Sequence, residues 1–238
     1  MRHLWKGITA LAVLGAAVLP MASAGCVDAE AMFFVMSVKP PNCSGTISVD
    51  DANLSEGRLD ARYSCEYYAW LELGNQLVPR GDPNKLQVET SRISVTSVDV
   101  QVFAADGTQI QNSGGAAEFN YPTVGFVNPA NGTAPGRGLA QALLLDGATV
   151  TAVAATGGTK VIARVVVKGR TLGGDDIETR PFDFPIDICV GCLCFEPPGD
   201  TCVDPAGEPD TCALSQDFGI DCRWLGTDCS TPATCGQF

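Results

Sequence analysis

Cysteine is the residue type with the most chemistry to offer in this chain. There are 11 cysteines. Eight of them, Cys189, Cys192, Cys194, Cys202, Cys212, Cys222, Cys229 and Cys235, crowd the C-terminal end. The spacing Cys189-x-x-Cys192-x-Cys194 suits thiolate ligation of a metal or iron–sulfur cluster, a redox-active pair, or structural cross-linking. Thiols oxidise and disulfides persist outside the reducing cytoplasm, so export of the chain favours cross-linking. Thioredoxin-like pairs sit at a helix N-terminus inside a βαβ pattern, whereas this pair follows a strand pattern. Four bridges are expected within the tail, with connections that spacing alone does not reveal. Upstream, besides Cys26, only Cys43 and Cys65 remain. They are expected to tie two early strands together, closing a loop worth ~3 kcal/mol in the chain-entropy model.

Other reactive types are sparse. The one histidine is His3, which lies in the N-terminal segment discussed below. A chain without it has no Ser-His-Asp or Cys-His apparatus and no histidine ligand for zinc, copper or iron. No catalytic residue, metal or cofactor is therefore expected. Acids cluster at Asp50-Asp51, at Asp175-Asp176 and from Asp200 to Asp210. Their oxygens suit calcium, and paired carboxylates suit glycoside hydrolysis. EF-hand spacing is missing and no aromatic-rich groove is legible, so solvated loop acids are the expectation. Arg80-Gly81-Asp82, flanked by Pro79 and Pro83, is an adhesion tripeptide and equally a good turn sequence.

The N-terminus sets the compartment. Arg2 and Lys6 precede an uncharged run from Ile8 to Leu19, shorter than the ~20 apolar residues of a membrane span. A basic flank, a short apolar run and small residues at its end read as a secretory signal over residues 1–25. Ala22-Ser23-Ala24 suits ordinary signal peptidase. Ser23-Ala24-Gly25-Cys26 resembles a lipobox, in which the cysteine is acylated, although Ser23 stands where leucine is preferred. Taking Cys26 as a lipid carrier leaves ten cysteines, an even number. Lipidated Cys26 is the expected membrane anchor. Val27 follows it rather than the aspartate that in some bacterial lipoproteins signals inner-membrane retention, which implies outer-membrane delivery. Free secretion is the alternative.

Beyond the signal, about 213 residues remain, enough for one large domain or a domain with a small module. Loss of Arg2 and Lys6 takes the 15 basic residues to 13 against 27 acidic, a net charge of −14. Nucleic acid is excluded as a partner because phosphate binding needs clustered cations.

Short strands must position these residues. Ala31 to Val38 and Tyr67 to Leu73 read as strands, with Tyr68, Trp70 and Leu71 seeking burial in the second. Ile93 and Val95 share one face, while Val98, Val100 and Val102 follow in the opposite phase, which predicts a β-bulge. Asp106-Gly107 is a turn. Val161, Ala163, Val165 and Val167 define a buried strand face. Phe182, Phe184, Ile186 and Ile188 alternate with Pro181, Asp183, Pro185 and Asp187. The prolines there predict an edge strand, or one paired only on its other side. Gly138 to Leu145 is expected to form two helical turns. Many short strands without a βαβ rhythm predict an all-β fold, an antiparallel immunoglobulin-like sandwich over 26–188. A disulfide-rich module over 189–238, poor in apolar residues, is expected to follow it.

The lipobox-like start, the segment Asn75-Gln-Leu-Val-Pro-Arg-Gly-Asp-Pro-Asn84, the segment Lys168-Gly-Arg-Thr-Leu-Gly-Gly174 and the segment Phe182-Asp-Phe-Pro-Ile-Asp-Ile-Cys-Val-Gly-Cys192 resemble a group of uncharacterised bacterial surface lipoproteins. The resemblance implies an envelope location and a β-rich fold, and it carries no catalytic residues. The expectation is a non-enzymatic exported lipoprotein with a structural or partner-binding role, its partner a protein or glycan at the cell surface. The alternative is a secreted carboxylate-dependent hydrolase or a calcium-dependent carbohydrate-binding protein. A third reading makes the tail a protease-inhibitor-like or toxin-like module.

Overall fold

The computed structural model describes residues 32–40, 47–82, 88–195 and 216–221. In chain order the strands are β1 (Phe33–Lys39), β2 (Gly57–Asp60), β3 (Tyr67–Asn75), β4 (Ile93–Ala104), β5 (Gln111–Asn112), β6 (Gly115–Ala116), β7 (Glu118–Val127) and β8 (Gly136–Leu145). A short helix α1 (Gly147–Ala154) intervenes. Then come β9 (Lys160–Thr171), β10 (Asp176–Glu178), β11 (Phe182–Cys189), β12 (Cys194–Phe195) and β13 (Ile220–Asp221).

The fold is all-β. One sheet has the order β1-β3-β8, and a larger one the order β2-β11-β9-β4-β7, with β10 pairing β9. Every pairing within these sheets is antiparallel except β2 with β11. Period-two alternation makes each sheet apolar on one face, and those faces share one core. Phe33, Leu71, Leu73 and Ala140 from the smaller sheet join Val98, Val100, Val165 and Ile186 from the larger.

The phase change in β4 is a bulge. Both of its pairings shift register between Val95 and Ser97, where Thr96 is the extra, exposed residue. The insertion keeps Ile93 and Val95 buried together with Val98, Val100 and Val102. In β9, Val161, Ala163, Val165 and Val167 are fully buried, while Ile162, Arg164, Val166 and Lys168 are half-buried. In β11 the even residues from Phe184 to Ile188 are buried. Over Phe182–Pro185 that strand pairs only with β9; β2 joins its other side from Ile186 onward. The proline-bearing half is thus the half with a free side, because proline supplies no ladder donor.

Two expectations need correction. Gly138–Leu145 is not helical but belongs to β8, paired along β3 from Asn75↔Gly136 to Tyr67↔Leu145. A long ladder and a shared core override the helical propensity of Ala and Leu. Glycines on both strands let β8 pass close to β7: a Cβ on Gly125 of β7 would stand 2.6 Å from the Leu139 carbonyl oxygen, and one on Gly138 of β8 would collide with the Phe126 carbonyl oxygen. The helix comes immediately afterwards, where Asp146 caps α1 by accepting from the Thr149 N–H at 2.9 Å. In β3 the buried phase is Tyr67, Ala69, Leu71 and Leu73, whereas Tyr68 and Trp70 are only half-buried on the opposite phase.

Candidate functional site

A groove of about 540 Å³ runs across the strands β4, β7 and β9. Asp99 and Gln101 of β4, Glu118 and Asn120 of β7, and Arg164 and Lys168 of β9 line it, with Glu178 at the margin. Cross-strand register sets these pairs, since Asp99 stands opposite Asn120 and Gln101 opposite Glu118. Lys168 ion-pairs with Asp99, and the Asn120 amide donates to the same carboxylate at 2.6 Å. Arg164 binds both oxygens of Asp183, at 2.7 and 2.9 Å, and lies over the Phe103 ring at 4.8 Å. Partial burial works against the ionised form of Asp99, but Lys168 and Asn120 hold its carboxyl below the ordinary range. The Arg164 hydrogen bonds hold Asp183 low as well. Neither is a reserve of protons for acid catalysis.

A second cleft, of about 430 Å³, opens where β7 passes β3 and β8. Trp70, Tyr121, Pro122 and Val124 supply apolar surface, and Gln141, Thr96 and Thr123 supply polar atoms. Tyr68 borders it, its ring edge-on to Tyr121 with centroids 6.2 Å apart. The sequence showed no aromatic groove because Tyr68 and Trp70 lie about fifty positions from Tyr121, and only the β7–β8 crossing unites them. Burial, aided by the Glu66 carboxylate accepting from its hydroxyl, pushes the Tyr68 phenol up to about 12. Val124 is 85% exposed. An aromatic lining with amide and hydroxyl groups at its edge suits a ligand with apolar faces and polar rims.

Two buried charged sites do structural work. Lys39 and Glu72 form one, treated in the Discussion. At the other, the Tyr67 hydroxyl donates to both oxygens of Asp217, at 2.9 and 2.8 Å. The Arg58 N–H donates to Asp217 Oδ1 at 2.8 Å. The neighbouring Gln216 imitates a strand: its amide oxygen accepts from the Tyr68 N–H at 2.9 Å and its amide nitrogen donates to the Tyr68 carbonyl. These contacts seat part of the tail against β2 and β3. Nothing in the tail's composition announced them.

Of the cysteines singled out, Cys26, Cys43, Cys202, Cys212, Cys222, Cys229 and Cys235 lie outside the described residues. Cys189 and Cys192 are joined by a disulfide with a Cα–Cα distance of 5.9 Å. Cys65 and Cys194 each also take part in a disulfide. The carboxylate of Asp60 and the sulfurs of Cys189 and Cys192 lie within 4.8 Å of one another, the one such grouping among the described residues. Its sulfurs are bonded to each other, and Asp60 already accepts from the N–H groups of Arg62, Gly191 and Leu193 at 3.0, 2.7 and 2.9 Å. Sequence spacing missed Asp60, which is brought there by parallel pairing of β2 with β11.

The acid pairs do not converge on one another among the described residues. Asp50 pairs with Arg137 at 2.8 Å, Asp51 accepts from the Ser48 N–H at 2.8 Å, and Asp176 pairs with Arg170 at 3.0 Å. The Asp200–Asp210 cluster lies wholly outside the described residues. At Arg80-Gly81-Asp82 the backbone is pinned. One Glu89 carboxylate oxygen accepts from the N–H groups of Arg80 and Gly81 at 3.0 and 2.9 Å, and the other accepts from that of Ser91 at 2.6 Å. Among the described residues no helix is long and apolar enough to cross a membrane. The chain matches neither the models of known protein families nor any curated protein sequence.

Proposed function

We infer that this is an exported, non-enzymatic lipoprotein, anchored through Cys26, whose β-domain holds a partner at the cell envelope. The strand order supports reading that domain as immunoglobulin-like. With β1, β3 and β8 as strands A, B and E, and β4, β7, β9 and β11 as C, C′, F and G, the sheets become A-B-E and G-F-C-C′. The short β2, parallel to β11, takes the place of a strand beside G. A disulfide-rich module follows at 189–238.

The observation that carries the binding role is the cleft of Trp70, Tyr121, Pro122 and Val124. The same lining favours the carbohydrate-binding alternative, since sugar C–H faces stack on aromatic rings while Gln141 and the threonines meet hydroxyls. It argues less for hydrolysis, which needs one carboxyl held protonated beside an ionised one. Asp99 and Asp183 are both held ionised by their partners.

Two measurements test this reading. Metabolic labelling with a fatty acid should mark the wild-type chain and fail with Cys26→Ser; labelling of neither removes the anchor. Neutral cell-wall and capsular oligosaccharides, titrated against tryptophan emission, should change the signal of the wild type but not of Trp70→Phe. An equal change in both variants would place binding elsewhere.

A further inference from the structure

We propose that the Cys189–Cys192 disulfide is an exchangeable redox pair that oxidises protein dithiols, with Asp60 as its buried positioning group. The two sulfurs are not equivalent. Cys192 is exposed and Cys189 is half-buried at the end of β11. An incoming thiolate therefore has access to the Cys192 sulfur and leaves Cys189 as the departing group, and access governs which sulfur is attacked.

The surroundings differ in charge as well. Asp60 is fully buried and stands directly opposite Cys189 in the β2–β11 register. Its carboxylate lies within 4.8 Å of both sulfurs, a separation that one water spans. A carboxylate there disfavours a thiolate on Cys189 and keeps that thiol protonated after release. On the other side, the Arg62 guanidinium packs against Gly191, its Cζ 2.9 Å from where a Cβ would stand. Gly191 adopts φ +78°, a conformation that suits glycine and lets the cation approach the residue beside Cys192. A cation nearby favours the thiolate form. The N–H groups of Gly191 and Leu193, which flank Cys192, both donate to Asp60. The carboxylate thus holds the loop in one shape while the sulfur bond opens and closes.

The step balances as a two-electron exchange. A partner thiolate attacks the Cys192 sulfur, the Cys189–Cys192 bond breaks, and its electron pair leaves on Cys189, which takes up a proton. The partner's second thiolate then attacks its own sulfur in the mixed disulfide and releases Cys192. The partner dithiol becomes a disulfide, and its two protons end on the reduced pair.

The test uses the oxidised full-length mature protein. It is equilibrated in graded dithiothreitol, alkylated without denaturant and peptide-mapped. Cys189 and Cys192 should gain two labels at dithiol concentrations at least tenfold below those that open the bonds at Cys65 and Cys194, with an unchanged circular dichroism spectrum. A peptide that carries a disulfide should be trapped as a mixed disulfide by Cys189→Ser, whose Cys192 thiolate attacks it and releases one peptide thiol, and not by Cys192→Ser. Asp60→Asn removes the charge and keeps one of the two acceptor oxygens, so attack of Cys189 on a mixed disulfide at Cys192 should speed up about tenfold, whereas loss of loop support alone would slow it. Opening of this bond only together with unfolding, or trapping of equal extent by the two serine variants, would overturn the proposal.

Discussion

Lys39 and Glu72 face each other at 3.3 Å across β1 and β3 with side chains only 2% and 3% exposed. The Lys39 ammonium donates to the carbonyls of Val49 and Asp51 at 2.8 and 2.6 Å and to the Asn53 side-chain oxygen at 2.7 Å. Lys39 thus ties the 47–53 loop down over Glu72, and Arg137 holds the same loop through Asp50 and the Val49 carbonyl. Replacing Lys39 with an apolar side chain leaves Glu72 buried with Arg137 and Ser37 alone. Lys39→Met should cost about 3 kcal/mol in urea denaturation, and proteolysis of the folded variant should begin in the 47–53 loop.

Glu72 makes the same site sensitive to acid. Burial opposes its ionisation, but hydrogen bonds from Arg137, Ser37 and Lys39 prevail and hold its carboxyl below the ordinary value. A folded value below the unfolded one stabilises the protein above the unfolded value, roughly 4.3 for glutamate. The contribution drains away as pH falls through the folded value. Stability curves of wild type and Glu72→Gln should be farthest apart near neutrality and converge as the medium turns acidic. A gap that is constant with pH would show that the carboxylate's charge contributes nothing.

Much of the large sheet was legible in sequence because each strand carries its own alternation. The paired faces of β9 and β11 and the slip in β4 needed no knowledge of neighbours. The segment after Gly136 was misread because Ala140, Ala142 and Leu143 fit either period, and only pairing with β3 decides between them. The binding and redox candidates were less visible for a related reason. Trp70 meets Tyr121, and Asp60 meets Cys189, through long-range packing and register that no local spacing records.

The bulge at Thr96 offers a direct test of that alternation. Deleting Thr96 would put Val98, Val100 and Val102 in phase with the present outer face of β4, because a one-residue slip reverses every side chain beyond it. Each valine is now at most 1% exposed, and burying one is worth about 1.5–3 kcal/mol. Their combined loss rivals the whole stability of a domain, ~5–15 kcal/mol. The deletion variant should fail to give a cooperative thermal transition, whereas Thr96→Ser, which keeps the count, should melt within a few degrees of wild type.

Asp217 is the opposite case from Glu72. It is the single non-glycine residue with positive φ among the described residues, at +62°, and burial pushes its carboxyl up despite the Arg58, Tyr67 and Gln216 hydrogen bonds. A folded value above the unfolded one means that ionisation weakens the native state as pH rises through that interval. Asparagine removes the charge, tolerates the left-handed backbone, and still offers Oδ1 to the Arg58 N–H and the Tyr67 hydroxyl, both of which now donate to that atom. Asp217→Asn should therefore stabilise the protein at neutral pH, with the advantage vanishing below the unfolded aspartate range, near 3.9. Asp217→Ala strands the Tyr67 hydroxyl and should destabilise by about 1–3 kcal/mol at both pH values. Urea unfolding of the three proteins at pH 7 and in acid separates the outcomes, since a purely steric role for residue 217 would leave the Asn variant no better than wild type at either pH.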